Sequence, residues 1–544
     1  MKGRWRAGWK WAARLLLSAA AVTAWIWVVD QVSPPELLRQ LLAPGDVPRA
    51  PFGRVSGALL SLLLMGWLLA AGLAAVRWVL SRGGGPLPIA KLVVQEASRM
   101  RGSVIPIGLL LLIFATIPAS LNPDSPLRYR IQSFLAYSHA TLSLLLGAIT
   151  VFLGCYTISS ELQGGQAHTV FSKPVNRRDY LLGKLMGIAL LDALMLCVGG
   201  AGIVFVTQVW LARLPALDAY DARAVREQVL TARETVAPAC PYSLADAAEE
   251  RLARLREENP SWIAERGGEA AVRRELLSQA AAEWMSIGPL KQQIYLFSGL
   301  ERARAAGGTF QLRFSIERVP APKDNQLSLG LVVNGRRLPL TATVGTAQVL
   351  PLSASLIDAS GKVELVVVNL DPYDPESAPE ASISFPGSGG LELLYRVGSF
   401  APNLARGLGV VWVKLLFLAM VAVSAGAFLS FPVACILSLT IWVLAAGSAE
   451  ILEALHLTPH EHGASEATPS LFYDKFVVPG MTLLASGFRK YGERDIAADI
   501  VDGRHLSWRG LGEYALWIGL IWTSLAGLGG WLIFRRREIA RVQV

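Results

Sequence analysis

The chain has 544 residues, 53% of them hydrophobic and 17% charged, with a formal net charge of +9. So large an apolar share excludes a soluble globular protein. The positive balance requires no nucleic acid, because much of it flanks apolar runs, where basic side chains face anionic lipid heads.

A run of about 18 or more apolar residues can cross a hydrocarbon core of about 30 Å. Eight runs qualify, at roughly 11–29, 57–80, 103–120, 137–158, 183–211, 407–429, 432–454 and 513–534. The first follows a basic start (Lys2, Arg4, Arg6, Lys10, Arg14), and "VTA" at 22–24 has the look of a signal-peptide cleavage site. Hydrophobicity continues to Val29, beyond that site, so an uncleaved first helix is the better reading. Trp25, Trp27, Trp78, Trp210, Trp412 and Trp531 stand near the ends of runs, as interfacial anchors do.

Both ends of the chain are basic, which places both termini in the cytoplasm and demands an even number of spans. The stretch 81–102, with Arg82, Lys91, Arg99 and Arg101, then also lies inside, as does the connector 159–182. Segments 214–405 and 456–512 lie outside. The second fits less well, since it carries Lys475, Arg489, Lys490, Arg494, Arg504 and Arg509, but it is long and holds acids in similar number. The location expected is the inner cell membrane, crossed many times.

Composition turns polar at Leu214 and turns back near Arg406, which marks an inserted extracytoplasmic domain. Its first part, 216–304, reads as helical. Ser243 precedes Asp246 by three in a capping-box-like pattern, Leu244, Ala248, Leu252 and Leu255 recur at helical spacing, and Pro260 closes the run. A second helix follows in "EAAVRRELLSQAAAEWMSI", giving a helical hairpin. Within 308–400 the period becomes two. Phe310, Leu312, Phe314 and Ile316 alternate with Gln311, Arg313, Ser315 and Glu317, and Asn334-Gly335 is a hairpin turn between two strands. "KVELVVVNL", "ASISF" and "LELLYRV" continue the pattern, so a β-sandwich is expected. A sandwich binds carbohydrate or protein in some settings and serves as a plain cap in others.

The connector "ELQGGQAHTVFSKPVNRRDYLLGK", 161–184, is long for a link between spans. Glu161 ends one run, Gly164-Gly165 permits a sharp turn, and Pro174 breaks a short, partly apolar piece. Arg177 and Arg178 follow, and Lys184 starts the next run as a snorkelling side chain. A short interfacial helix rimmed by charge suits a cytoplasmic partner, and a basic topological flank with a glycine hinge suits the same composition. Asp192 lies about two turns into its span, where an ionisable group is a functional candidate. Hydration near the membrane face, or a hydrogen bond to a neighbouring helix, accounts for it equally. Lys414 and Glu450 read as snorkelling side chains near span ends. His456, His460 and His462 stand close enough to take zinc, although three histidines in such a loop are more often solvated. Cys155, Cys197 and Cys435 lie in apolar runs and Cys240 stands alone, so no disulfide framework or metal motif arises.

Glu161-x-x-Gly164, then Ser172-Lys173-Pro174-Val175-Asn176-Arg177, then Gly183-Lys184, resembles the signature of ABC (ATP-binding cassette) transporter permeases of the type-2 export family. "IAKLVVQEASRMRGSVIPIGLLLL" resembles that family's amphipathic helix before its first core span, and "WLIFRRREIA" its closing span. The resemblance covers about 87–213 and 406–541. Gly165 stands where the family has threonine, Lys173 where it has arginine, and Asn176 where it has serine or threonine.

The resemblance implies a permease subunit that is not itself an enzyme. ATP is then bound by a separate ABC ATPase subunit docked on the connector, and a second permease copy or paralogue shares the path. Glu161, Gly164, Gly165, Ser172, Lys173, Pro174, Arg177, Arg178, Gly183 and Lys184 become the coupling residues. The chain agrees in holding neither GxxxxGK[ST] nor GxGxxG, the phosphate-cradling loops. The resulting expectation is a polytopic α-helical membrane protein of about eight transmembrane helices with an inserted extracytoplasmic α+β domain. It divides into an extra helix pair at 1–86, a first core half at 87–213, the inserted domain at 214–405, and a second core half at 406–544. The alternative is a membrane-anchored scaffold whose β domain binds glycan or protein. Substrate is not legible, and no cofactor of the chain's own is implied.

Overall fold

The computed structural model describes residues 50–98, 107–110, 112, 113, 116, 117, 121, 122, 124–164, 176–211, 218–265, 268–318, 325–369, 381–387, 389–457 and 478–536. The run at 11–29 lies outside the described residues, and the run at 103–120 lies partly outside them. Among the described residues, five helices are long and apolar enough to cross a membrane: Ser61–Leu80, Leu127–Gln163, Arg177–Gln208, Phe400–Gly426 and Trp508–Arg536. A strand-rich α+β unit, Thr231–Ser399, is inserted between the third and fourth of these. The chain is therefore a polytopic α-helical membrane protein with an inserted α+β domain.

In the helical unit, α1 (Ala50–Leu80) is followed by the short α2 (Leu87–Ala97). Ala90, Val93, Val94 and Ala97 form one buried face of α2, at the spacing of an amphipathic helix. The long α3 (Leu127–Gln163) and α4 (Arg177–Phe205) form an antiparallel pair, with Leu142 against Gly199 at one end. A π-helical turn, Val206–Trp210, extends α4. The most enclosed helix is α10 (Phe400–Gly426), which packs on both α3 and α4. It meets α3 closely where Gly154 faces Ala422 and Gly426 faces the Cys155 backbone. The last span comprises α15 (Trp508–Tyr514), a π-helical stretch Ala515–Trp522, and α16 (Thr523–Arg536). Gly519, Gly527 and Gly530 let it lie along Val413, Met420 and Ser424 of α10.

Three expectations change. The stretch 216–304, expected to be helical, also holds strands at Thr231–Val236, Ser286–Ile287 and Gln292–Phe297. The run 432–454 is not one helix but two, α11 (Phe431–Ala446) and α12 (Ser448–Leu457), parted at Gly447. The break is fixed from α13 (Val478–Gly492), whose Phe488 carbonyl lies 3.0 Å from Ser448 Oγ. Gly492 comes so close that a Cβ there would stand 2.6 Å from the same oxygen. The polar domain also begins later than 214. Asp218 caps α5 (Ala219–Ala224), and Asp221 turns its carboxylate onto the backbone N–H groups of Leu127 (2.7 Å) and Arg128 (3.0 Å). Those are first-turn donors of α3, which Pro126 at the N-cap leaves uncapped. Residues 218–230 therefore belong to the helical unit, and the strand-rich unit starts at Thr231.

In that unit, one antiparallel sheet has the order β1 (Thr231–Val236), β11 (Leu391–Ser399), β4 (Thr309–Ser315), β8 (Ala347–Ser353). A second has the order β3 (Gln292–Phe297), β9 (Val363–Val368), β6 (Gln326–Val333), β7 (Arg336–Thr343). A small third sheet joins β2 (Ser286–Ile287), β10 (Ile383–Ser384) and β5 (Glu317–Arg318). Alternate residues of the two larger sheets share one core: Phe310, Leu312 and Phe314 from β4, Leu329, Leu331 and Val333 from β6, Val363, Leu365 and Val367 from β9. The β6–β7 turn has Asn334 at φ 44° and Gly335 at φ 80°, the left-handed pair a two-residue hairpin requires. The helical hairpin of α6 (Leu244–Glu258) and α8 (Glu269–Trp284), bridged by α7 (Pro260–Glu265), has its own small core of Ala248, Leu252, Ile263, Val272 and Leu276. Ser243 caps α6 through the Asp246 N–H, at 3.2 Å.

Candidate coupling site

The ends of α3 and α4 that flank the connector are tied together by buried charge. Glu161, in the last turn of α3, is 5% exposed, and Lys184, two turns into α4, is fully enclosed. Lys184 Nζ donates to Glu161 Oε1 at 2.5 Å and to the Thr157 carbonyl at 3.1 Å. Tyr180 donates its hydroxyl to the other carboxylate oxygen, Oε2, at 2.6 Å. Glu161 thus has a partner on each oxygen, the condition under which a buried carboxylate is tolerated.

A second layer comes from α2, which lies in a groove of α4 made by Gly183 and Gly187, one turn apart. A Cβ on Gly183 would stand 2.6 Å from Ile89 Cβ and 2.7 Å from the Pro86 carbonyl oxygen. On Gly187 it would stand 2.7 Å from Val93 Cβ and 2.9 Å from the Ala90 carbonyl oxygen. Backbone contact of this kind admits no side chain. Glu96 of α2 reaches the charged pair electrostatically. Burial first, and Glu161 beside it, push its carboxyl above the usual range, while Lys184 pulls it down.

A third layer comes from the last helix. Arg177 donates from Nη1 to the carbonyls of Phe534 (2.5 Å) and Arg535 (3.1 Å), filling acceptors that a helix end leaves open. Tyr180 stacks on Phe534 at 5.9 Å, and the Arg178 guanidinium stands 5.7 Å from the Trp531 ring. Four elements therefore meet where the connector begins and ends.

Of the residues singled out in the sequence, Glu161, Arg177, Arg178, Gly183 and Lys184 come together here. Gly164 ends α3 in an ordinary right-handed conformation (φ −78°), its N–H bonded to the Ser160 carbonyl. Gly165, Ser172, Lys173 and Pro174 lie outside the described residues, as do His460, His462 and the side chain of His456. Lys184 does not snorkel, nor does Lys414, the fifteenth residue of the 27-residue α10, whose Nζ faces the rings of Tyr491 at 5.1 Å and Tyr514 at 5.7 Å. Asp192 is elsewhere, 1% exposed, with Thr150 of α3 donating to it at 3.0 and 3.1 Å. Sequence reasoning missed Tyr180, Glu96 and Gly187, although the four-residue glycine spacing was there to be seen.

Apolar spans joined at their ends by such a buried cluster define a membrane-embedded helical unit. The family model described as ABC-2 family transporter protein matches residues 55–231. The matched stretch takes in α2, the α3–α4 pair and its connector, so this part of the chain is similar to an ABC-2 family transporter protein. Residues 406–541 lie outside the match. Comparison with curated proteins and with solved structures returned no match for the chain.

Proposed function

We propose that the chain is the permease subunit of an ATP-driven exporter, coupled through 161–184 and α2 to a separate ATPase subunit. The observation that carries this reading is the buried Glu161–Lys184–Tyr180 network at the α3 and α4 ends that the connector joins in sequence. A push on the connector meets α3 and α4 as one body, and the glycine groove passes it to α2. Arg177 and Arg178 extend the same body to the last helix. In this reading both termini and the connector are cytoplasmic, the strand-rich unit is extracytoplasmic, and a second permease copy or paralogue completes the path. ATP is bound by the partner, and Asp192 holds α3 to α4 within the membrane.

Co-expression with the ATPase subunit tests it. Glu161→Gln keeps the shape of the side chain and removes the charge. The variant strands the Lys184 charge, so it is expected to insert with a lowered thermal midpoint and to lose permease-stimulated ATP hydrolysis. Glu161→Gln combined with Lys184→Met is expected to recover the midpoint and still lose the hydrolysis. Unchanged hydrolysis, with the ATPase still bound, would remove the coupling role.

A further inference from the structure

The chain has four cysteines, all of them free thiols. Cys197 lies on α4 and Cys240 in the strand-rich unit. The other two meet. Cys155 of α3 is fully buried, Cys435 of α11 is partly exposed, and their thiols hydrogen-bond to each other.

Both helices build this contact. Phe431, Cys435, Ser438 and Trp442 recur at i, i+4, i+7 and i+11, one stripe of α11. Phe431 stands edge-on to Phe152 at 5.2 Å and to Tyr156 at 5.9 Å, on the α3 turn that holds Cys155. Trp442 covers Gly147, where a Cβ would stand 2.4 Å from its ring. Between these contacts Cys155 Sγ lies 3.7 Å from Ser438 Oγ. Ser438 donates its hydroxyl to the Ala434 carbonyl at 2.8 Å, so its oxygen sits over the turn of Cys435 and accepts from Cys155. The end of α10 closes the other side, since a Cβ on Gly426 would stand 2.9 Å from the Cys155 carbonyl oxygen. A single buried thiol is ordinary core packing. Two thiols from separate helices, one of them reachable, form a pair that oxidation can join.

We propose that Cys155 and Cys435 are a modification site, a dithiol that an organic hydroperoxide closes to a disulfide between α3 and α11. Cys435, the accessible thiol, attacks the distal peroxide oxygen. The O–O bond breaks, the alcohol leaves with a proton, and Cys435 becomes a sulfenic acid. Cys155 then attacks the Cys435 sulfur, the S–O bond breaks, and the departing hydroxide takes the Cys155 proton as water. The two thiols lose two electrons together, and the hydroperoxide is reduced to alcohol and water. A dithiol reverses the step by exchange. Cys155 precedes Glu161 by about 9 Å along α3, at about 1.5 Å per residue. The closed form therefore fixes the coupling end of α3 to α11, a consequence that rests on the permease reading, whereas the thiol chemistry does not.

The test uses the full chain in detergent, treated with cumene hydroperoxide, denatured, and capped with N-ethylmaleimide for mass spectrometry. The untreated chain is expected to take four maleimides and the treated chain two fewer. A crosslinked peptide should join Cys155 to Cys435, and dithiothreitol should restore the full count. Cys155→Ser is expected to leave a dimedone-reactive sulfenic acid at Cys435, and Cys197→Ser with Cys240→Ser to keep the link. The peptide map of the parent needs no substitution and decides the matter even where a variant fails to fold. An unchanged count after treatment, a link through Cys197 or Cys240, a link between two chains, or a loss that dithiothreitol does not reverse overturns the proposal. With the ATPase subunit added, treatment is expected to abolish permease-stimulated hydrolysis in the parent, reversibly, and to leave Cys435→Ser unaffected. A disulfide that forms with hydrolysis unchanged overturns its hold on coupling. An untreated parent that stimulates no hydrolysis counts against the permease reading alone.

Discussion

Lys184 Nζ stands 2.5 Å from Glu161 Oε1, with side-chain exposures of 0% and 6%, across a connector that separates them by 23 residues. A pair this deep is a weak source of net stability, yet breaking it strands a charge, at about 3–5 kcal/mol. Lys184→Met is therefore expected to lower the thermal midpoint sharply in detergent. Adding Glu161→Gln to it is expected to recover much of the loss, because no buried charge is then left alone. If the double variant melts no higher than the single one, the pair is not what holds the two helices.

Gly183 and Gly187 make a different claim, about space. Alanine at either position drives a Cβ against a carbonyl oxygen of α2, which cannot move like a side chain tip. Overpacking of this kind costs about 1–3 kcal/mol. Gly66, with nothing within 4 Å of a built Cβ, is the control and is expected to tolerate alanine. Crosslinking between cysteines placed on α2 and α4 measures whether the helix has left its groove. A crosslink undiminished in both glycine variants contradicts the geometry.

Legibility in the sequence followed range. Patterns within one element read correctly: the Ser243 cap, the alternation of Phe310, Leu312 and Phe314, and the Asn334-Gly335 turn are local, and each appears in the structure. What failed depended on a distant partner. Nothing local in "TARETV" marks a strand, and β1 forms because β11 pairs with it. Lys184 followed a basic flank and so resembled a snorkelling side chain, until Glu161 on the preceding helix claimed it. Gly183 matched a motif, but its steric reason, α2, lies more than ninety residues upstream. The break at Gly447 falls on a Gly447-Ser448 pair, a local mark that the apolar run around it outweighed, and α13 packs against it.

The strand-rich unit has a core of its own, so residues 231–399 expressed alone are expected to fold and melt cooperatively. Leu329, fully buried in β6, sets the scale: Leu329→Ala should cost about 2–5 kcal/mol in chemical denaturation. A circular-dichroism spectrum of disorder for the parent fragment would refute the autonomy of the unit.

The same fragment carries a pH signature. The Lys362 backbone N–H, then the Ser360 hydroxyl, hold the Asp358 carboxyl below its ordinary range. A carboxyl that is more acidic when folded contributes stability above its unfolded value, near pH 4, and loses it as pH falls toward the folded value. Asp358→Asn keeps an acceptor oxygen and removes the titration. Its thermal midpoint is expected to fall less steeply than the parent's below about pH 4. Superimposable pH profiles for the two would show that the turn carries no such linkage.

Asp192 offers a last comparison, between a clamp and a working acid. Its carboxylate oxygens lie 3.0 and 3.1 Å from Thr150 Oγ1, and Thr150 is its only hydrogen-bond partner among the described residues. The same hydroxyl lies 2.7 Å from the Leu146 carbonyl of its own helix. Thr150→Val keeps the volume and strands the Asp192 side chain in an enclosed site, a loss of about 1–3 kcal/mol. Asp192→Asn brings an N–H donor that can meet the Thr150 oxygen while that hydroxyl stays on Leu146, so it is expected to melt close to the parent. A clamp needs only the hydrogen bond, which Asn supplies. Permease-stimulated ATP hydrolysis is therefore expected to survive Asp192→Asn and to fall in Thr150→Val. Hydrolysis lost in Asp192→Asn, at an unchanged melting temperature, would instead make the acid itself part of the transport cycle.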